Sequence, residues 1–423
     1  MYQQLTHPLE IHISTVDTTF YKQRIKDIEK GSNSNIFVNR EELITLYRTI
    51  VKQIEIMTKK YDVTITNPPY MGNKYMQSKL ASFVNKHYPE YKADVFSCFM
   101  QFTMKCTNSC GHIGLVTPYV WMFIQSYEKL REKLVSTKSI SSLIQLEYNA
   151  FEVAVVPVCT FTVRNNGYFY PGEYIDLSEF KGWQNQPIKV IEAIVDENVD
   201  YRHSVYTKQF EEIPGYPIAY WISNNVRGIF IKGRSLGEIA TVCQGLDTSN
   251  NDKYVRLWHE VSYDAIGFNY KDRISASRSG LKWFPYNKGG AFRKWYGNNY
   301  SVINWKNDGE EIRALDSSNI RNQSYYFKVA ITWSRISSVK LGVRYSPEGA
   351  IFDVGGSSIF SNNELTFYYL LALLGSNLIS ELLKILNPTL NYTVGTIATV
   401  PVIYPNENTT IDYINIIYCC IFI

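Results

Sequence analysis

A short β-rich run at residues 61–65, Tyr-Asp-Val-Thr-Ile, ends in Thr66-Asn67-Pro68-Pro69-Tyr70. Two consecutive prolines remove two main-chain donors and fix two φ angles, so the strand must stop there and pass into an extended loop. Just upstream, Leu43, Leu46, Ile50, Ile54 and Met57 recur at helical spacing, with Glu41 and Glu42 at the start and Lys59-Lys60 at the end, as the helix dipole favours. A helix feeding a strand that ends in a rigid loop is one unit of an open α/β sheet, whose ligand sites lie beyond the carboxyl ends of the strands.

The units that follow extend the pattern. A helix is predicted over 19–30 and another from Lys92-Ala93-Asp94-Val95-Phe96 to about residue 107, followed by a strand at 113–116. Then come a helix over 126–134, with Tyr127, Leu130 and Leu134 on one face, and strands at 143–148 and 158–163. Such alternation predicts a mostly parallel sheet. Residues 165–210 show little periodicity and read as a connecting region.

Composition bounds what this can be. The 423 residues allow two domains, and 45% hydrophobic against 19% charged residues is ordinary for a globular protein. A net charge of +4 makes any nucleic-acid affinity a matter of local patches. Seven cysteines without zinc-type pairs are expected as reduced thiols in a cytosol. The opening residues hold no basic segment followed by an apolar one, and no run of about 18 apolar residues occurs, so a cytoplasmic protein that neither enters a secretory route nor spans a membrane is expected.

The loop itself suits one kind of chemistry. An aromatic amine is a poor nucleophile because its lone pair is delocalised, and an enzyme that alkylates it must accept hydrogen bonds from both amine hydrogens as the nitrogen becomes pyramidal. The side-chain oxygen of Asn67 and the main-chain carbonyl of Pro68 are two such acceptors, pre-aimed by Pro68 and Pro69. Tyr70 would stack on the base. The expected reaction is methylation of an exocyclic amine, adenine N6 in DNA before others. The alternative is an ordinary Asn-Pro-Pro turn after a strand.

In order along the chain, Asn67-Pro68-Pro69-Tyr70, Asp94-Val95-Phe96, the run Gly111-His112-Ile113-Gly114-Leu115-Val116-Thr117-Pro118, the helix 127–134 and Phe151 resemble motifs IV to VIII of the γ-class amino-methyltransferases. The resemblance covers about residues 55–165 and implies that Tyr70 and Phe151 hold an extruded adenine between them. It also implies S-adenosylmethionine as methyl donor. The family's first motif, a strand and glycine-rich turn that cradles the donor, is not found between residues 1 and 60, and the cofactor-binding residues stay unassigned. Phe352-Asp353-Val354-Gly355-Gly356-Ser357-Ser358 is the one other turn of that kind, which a circularly permuted order would require.

From about residue 211 the composition changes. Lys271, Arg273, Arg278, Lys282, Lys288, Arg293 and Lys294 stand against the single acid Asp272 and are interleaved with Trp283, Phe284, Tyr286 and Phe292. Such a segment either meets phosphates with its cations and bases with its rings, or is a solvated basic face with core aromatics. Gly245-Leu246-Asp247-Thr248-Ser249-Asn250-Asn251-Asp252, Lys282-Trp283-Phe284-Pro285-Tyr286-Asn287-Lys288-Gly289-Gly290, Val302-Ile303-Asn304-Trp305 and Tyr392-Thr393-Val394-Gly395 resemble the target-recognition region of the BREX phage-defence adenine methyltransferases of the PglX type and of related single-chain restriction-modification enzymes. That resemblance implies DNA contacts at Lys288, Arg293 and Lys294, and a structural role for the Gly355-Gly356 turn.

The expected fold is therefore α/β, a partial Rossmann-like methyltransferase sheet followed by a mixed α/β target-recognition domain. The expected divisions are 1–165 (partial catalytic domain), 166–210 (connection), 211–405 (recognition) and 406–423 (irregular tail, apolar from 411). The expected function is site-specific DNA adenine-N6 methylation with S-adenosylmethionine, in phage defence or restriction-modification. Its partners are double-stranded DNA, other phage-defence proteins or a chain that supplies the missing N-terminal part. The alternative is a catalytically incomplete DNA-recognition subunit that needs such a chain for its cofactor. A protein-glutamine methyltransferase would not need the basic, aromatic second half, and the paired acids and lysine of a metal-dependent nuclease are missing.

Overall fold

A computed structural model describes residues 19–30, 40–151, 156–167, 170–337, 340–387, 389 and 391–404. The described chain divides into two compact units, the first holding residues up to Trp121 and Lys129–Gln209, the second Met122–Glu128 and Phe210 onward. The tail from 411 lies outside the described residues.

In the first unit, helices α1 (Thr19–Glu29) and α2 (Arg40–Thr58) precede β1 (Tyr61–Thr66), and α3 (Ser78–His87) and α4 (Val95–Cys106) follow it. Then come β2 (Thr107–Pro118), α5 (Glu128–Thr137), β3 (Ser139–Gln145), β4 (Val158–Arg164), β5 (Gly172–Asp176), α6 (Asn185–Val195) and β6 (Arg202–Val205). The six strands form one sheet in the order β1-β2-β4-β3-β5-β6. Only the β1–β2 and β3–β5 pairings are parallel, and the other three are antiparallel. The expected mostly parallel sheet is thus a mixed one. No helix links β3 to β4 among the described residues, so β4 returns antiparallel and inserts between β2 and β3.

Residues 172–205 are no connector: β5 and β6 complete the sheet, and Ile175, Leu177 and Ala193 bury a small core between β5 and α6. Pro187 sits in the first turn of α6, where its missing N–H would be unbonded anyway.

One face of the sheet is well covered. Ile113 and Leu115 of β2, Leu143 of β3 and Phe161 of β4 are buried, as are Phe96 and Met100 of α4 and Leu130 and Leu134 of α5. Arg131, only 2% exposed, donates to the Trp121 carbonyl at 2.9 Å. The outer strand β1 is different: Val63 is 58% and Ile65 78% exposed, and no described strand pairs with its outer edge. In α2, Val51 and Ile54 are buried, whereas Leu46 and Met57 of the expected apolar stripe stay exposed.

The second unit holds two four-stranded sheets. Its strands are β7 (Arg234–Ser235), β8 (Thr241–Cys243), β9 (Val255–Leu257), β10 (Trp283–Asn287), β11 (Ser301–Asn304), β12 (Ala330–Trp333), β13 (Val343–Ser346), β14 (Ile351–Phe352), β15 (Ser358–Phe360) and β16 (Pro401–Val402). The sheets run β14-β10-β11-β9 and β13-β12-β15-β8, and β7 pairs with β16. Ile331, Trp333, Val343 and Ile359 of the second sheet share a core with Phe367, Leu370 and Leu371. These last belong to a helix, Glu364–Gly375, within an apolar run that continues to residue 386. The helix ends at Ser376, whose hydroxyl caps a second helix, Asn377–Leu386, at 72° to the first. Among the described residues no single helix is long and apolar enough to cross a membrane.

Candidate active site

The Asn67–Tyr70 loop leaves the carboxyl end of β1, which is held to β2 by the Thr66–Leu115 register. Pro68 is buried, while Asn67, Pro69 and Tyr70 are exposed. The Tyr70 hydroxyl donates to the Asn67 carboxamide oxygen at 3.0 Å and to the Val116 carbonyl at 3.2 Å. Partial burial, and secondarily Cys159, raises the Tyr70 phenol above its ordinary value, so this donor keeps its proton. The acceptor expected for a substrate amine is therefore occupied by a side chain of the same tetrapeptide. The Pro68 carbonyl accepts no hydrogen bond from any described residue. The two acceptors lie in adjacent residues of one loop: the Asn67 oxygen is covered by the Tyr70 hydroxyl, and the carbonyl of the buried Pro68 carries no hydrogen bond from a described residue.

Behind the loop stands α4. The ring of Phe96, 1% exposed, meets Tyr70 edge to face at 6.3 Å. Asp94, directly before the helix, accepts from the Phe96 amide at 3.1 Å as an N-cap and from the Met71 amide at 2.8 Å. The sequence places a helix from Lys92, two residues before this cap, and the second bond of Asp94, across 23 residues, carries no sequence signal.

Phe151 follows a turn in which the Glu147 carbonyl accepts from Ala150. It is 46% exposed, and among the described residues its ring does not touch Tyr70. The structure brings Asn67, Pro68 and Tyr70 together and leaves Phe151 apart from them.

Among the described residues of this unit no strand runs into a glycine-rich turn of the kind that cradles a methyl donor. Gly72 is the one glycine between β1 and α3, and the close approaches of Gly111 and Gly172 are to main-chain oxygens of Asp62 and Ile140, leaving no room for a ligand. The Gly355-Gly356 turn of the second unit does not fit either. A Cβ at Gly356 would lie 2.1 Å from the Asn287 carbonyl oxygen, and Asp353 already accepts from the Gly355 amide and, at 2.8 Å, from the Tyr286 hydroxyl. That turn is packed protein.

The basic segment of the second unit is partly spent on its own fold. Lys271 pairs with Glu348 and Arg273 with Asp308, while the Lys294 ammonium donates to the Gly375 carbonyl at 2.6 Å, at the end of its helix. Burial, then Lys340, holds Lys294 below its ordinary value. Lys288 is half-buried and Arg293 is exposed. Phe284 and Tyr286 are core residues because alternate side chains of β10, an inner strand, face inward, which leaves Phe292 and Trp283 as the more accessible rings. A residue the composition hides is Arg344. It is 1% exposed, its guanidinium donates to the Ser334 hydroxyl and the Gly342 carbonyl, and it is pulled down to about 10 by burial.

Residues 5–151 match the Eco57I restriction-modification methylase family. Over 84% of its length the chain is 37% identical to the adenine-specific methyltransferase PglX of Lacticaseibacillus casei (strain Zhang), and likewise 34% identical to the adenine-specific methyltransferase BrxX of Escherichia coli O9:H4 (strain HS). It spans 30% and 29% of those two proteins. A solved structure of the Type IIL restriction-modification enzyme MmeI in complex with DNA superposes with a TM-score of 0.51 at 10% identity, over 87% of this chain and 50% of that one, a likeness of fold. The resemblance carried by the motifs is thus borne out by similarity along most of the chain.

Proposed function

We propose that this chain, kin over most of its length to the PglX and BrxX adenine-specific methyltransferases, supplies the amine-holding and DNA-reading parts of a DNA adenine-N6 methyltransferase of phage defence or restriction-modification. The observation that carries the proposal is the pair of acceptors at the end of β1, Asn67 Oδ1 and the unbonded Pro68 carbonyl, with the Tyr70 ring beside them.

An adenine reaches such a loop only when swung out of the duplex, which costs a few kcal/mol. Stacking on Tyr70 offsets part of that, at about 1–3 kcal/mol per base on an aromatic platform. One amine hydrogen replaces the Tyr70 hydroxyl on Asn67, the other goes to Pro68, and the released Tyr70 ring turns toward the base. Accepting from both hydrogens as they leave the ring plane and the nitrogen becomes pyramidal draws the lone pair out of conjugation, and positioning then supplies most of the acceleration. Phe151 takes the far side of the base. The methyl group comes from S-adenosylmethionine, held by residues other than those described. In the second unit Lys288 and Arg293 meet phosphates.

A second reading is favoured by the exposed Val63 and Ile65 on the free edge strand β1: a recognition subunit whose catalytic half is completed by another polypeptide segment. Calorimetric titration of the purified chain separates the two. Heat with S-adenosylmethionine and new N6-methyladenine in co-expressed DNA support the first; no heat with retained duplex binding supports the second. Neither duplex binding nor methylation, alone or with neighbouring gene products, would sink both.

A further inference from the structure

We infer that Asp94 is a positioning residue for the Asn67–Tyr70 loop, a clamp that sets the loop against the start of α4; the inference rests on the proposed role of that loop. Between its two attachments the reactive stretch is four residues long. At one end Thr66 is fixed in register with Leu115 of β2. At the other, residues 71–73 are sewn to 92–95: Val95 donates to the Met71 carbonyl at 3.1 Å, Asn73 donates from its main chain to Ala93 at 3.0 Å and from its side chain to Lys92 at 3.0 Å, and Gly72 and Asp94 form a bridge.

At the centre of this seam one carboxylate oxygen, Asp94 Oδ1, accepts from both Met71 and Phe96. Met71 is the residue directly after Tyr70, and Phe96 is the residue whose ring Tyr70 touches. One oxygen thus fixes the main chain on the far side of Tyr70 and the helix turn that carries the ring behind it. Loss of that bond frees Met71, and with it the direction in which Tyr70 and the Pro68 carbonyl point. A displacement of about 1 Å in such groups is enough to cost two orders of magnitude in rate.

Three variants separate the clamp from ordinary helix capping. Asp94→Asn keeps an oxygen at the same reach. Asp94→Ser keeps an N-cap acceptor for α4, but its hydroxyl is one bond nearer the main chain and falls short of Met71. Asp94→Ala removes both. Amide hydrogen exchange over residues 66–75 and over α4, with methylation of co-purified DNA as the second readout, distinguishes them. Asp94→Ser is expected to speed exchange at Met71 about tenfold with α4 unchanged. Its kcat falls by about 10–100-fold with DNA affinity held within twofold, while Asp94→Asn stays within about threefold of wild type in both readouts. Exchange at Met71 unaltered in Asp94→Ser, or Asp94→Asn as damaging as Asp94→Ser, would overturn the clamp. Acceleration across the whole unit would do the same, by reducing Asp94 to a stabilising cap. A wild-type chain that methylates nothing even with its neighbouring gene products refutes the reading of the site instead, and the exchange comparison still decides the clamp by itself.

Discussion

Two strand-end loops of this protein stand out in the sequence and have opposite physics. The Asn67–Tyr70 loop leaves β1 with two prolines, and the Asp353–Ser358 turn leaves β14 with two glycines; each offers what a ligand site needs. The first leaves hydrogen-bonding capacity unspent, with Asn67 exposed, Tyr70 38% exposed and the carbonyl of the buried Pro68 unbonded among the described residues. The second spends every feature internally, since Asp353 serves Gly355 and Tyr286 and Gly356 exists to let Asn287 come close. Prolines hold a backbone away from its neighbours; glycines here let two backbones meet. Sequence alone does not say whether the visitor a glycine admits is a ligand or the protein itself.

The contrast is sharpest in substitutions. Asn67→Ala is expected to lower methylation by about 10²–10³-fold, the cost of one lost transition-state partner, while duplex affinity stays within twofold; near-normal methylation would strip the loop of its role. Gly356→Ala, which sets a methyl against a main-chain oxygen, should instead cost about 1–3 kcal/mol of stability in urea unfolding, and an unchanged midpoint would mean the turn is looser than described. Removing only the Tyr70 hydroxyl with Tyr70→Phe uncovers Asn67, and because a net hydrogen bond is worth about 0.5–1.5 kcal/mol, affinity for an unpaired adenine should rise about 2–10-fold. No change there would mean that the hydroxyl leaves Asn67 without cost. In the basic segment Arg293→Ala should reduce the slope of log affinity against log salt by about 1, whereas Lys294→Ala, which frees a helix end, should lower stability and leave the slope alone. Equal slopes would place both in the same role.

The smallest effect belongs to Asp353. Burial raises its carboxyl above the ordinary value of 3.8, outweighing the bonds from Gly355 and Tyr286. The folded state therefore holds a proton the unfolded state has released, so stability falls as pH rises from 3.8 through the raised value. Asp353→Asn should flatten that stretch of the stability–pH curve, and an identical curve would assign the slope to other groups.

Much of the first unit was readable because its elements are long and periodic. The helices over 19–30 and 40–58 and the strand before Asn67 stand close to where the spacing puts them. Residues 172–205 were not, because β5, Gly-Glu-Tyr-Ile-Asp, has little β-branched character and α6 hides a proline in a first turn that tolerates it. The mixed sheet was missed because strand direction depends on what joins β3 to β4, and periodicity is blind to that. In the second unit, the break at Ser376 is a capping event inside an unbroken apolar run. At the site, residue types gave Asn67, Pro68 and Tyr70, but the Tyr70–Asn67 bond and the reach of Asp94 to Met71 are facts of three dimensions.

Edge strands are where folded proteins meet trouble or company. With Val63 and Ile65 bare and its outer main chain unpaired among the described residues, β1 is an unguarded template for any extended peptide. An extended peptide added during overexpression is therefore expected to lower aggregation by pairing with β1, and an aggregation level indifferent to such a peptide would mean that the edge is not the route by which copies of this chain meet.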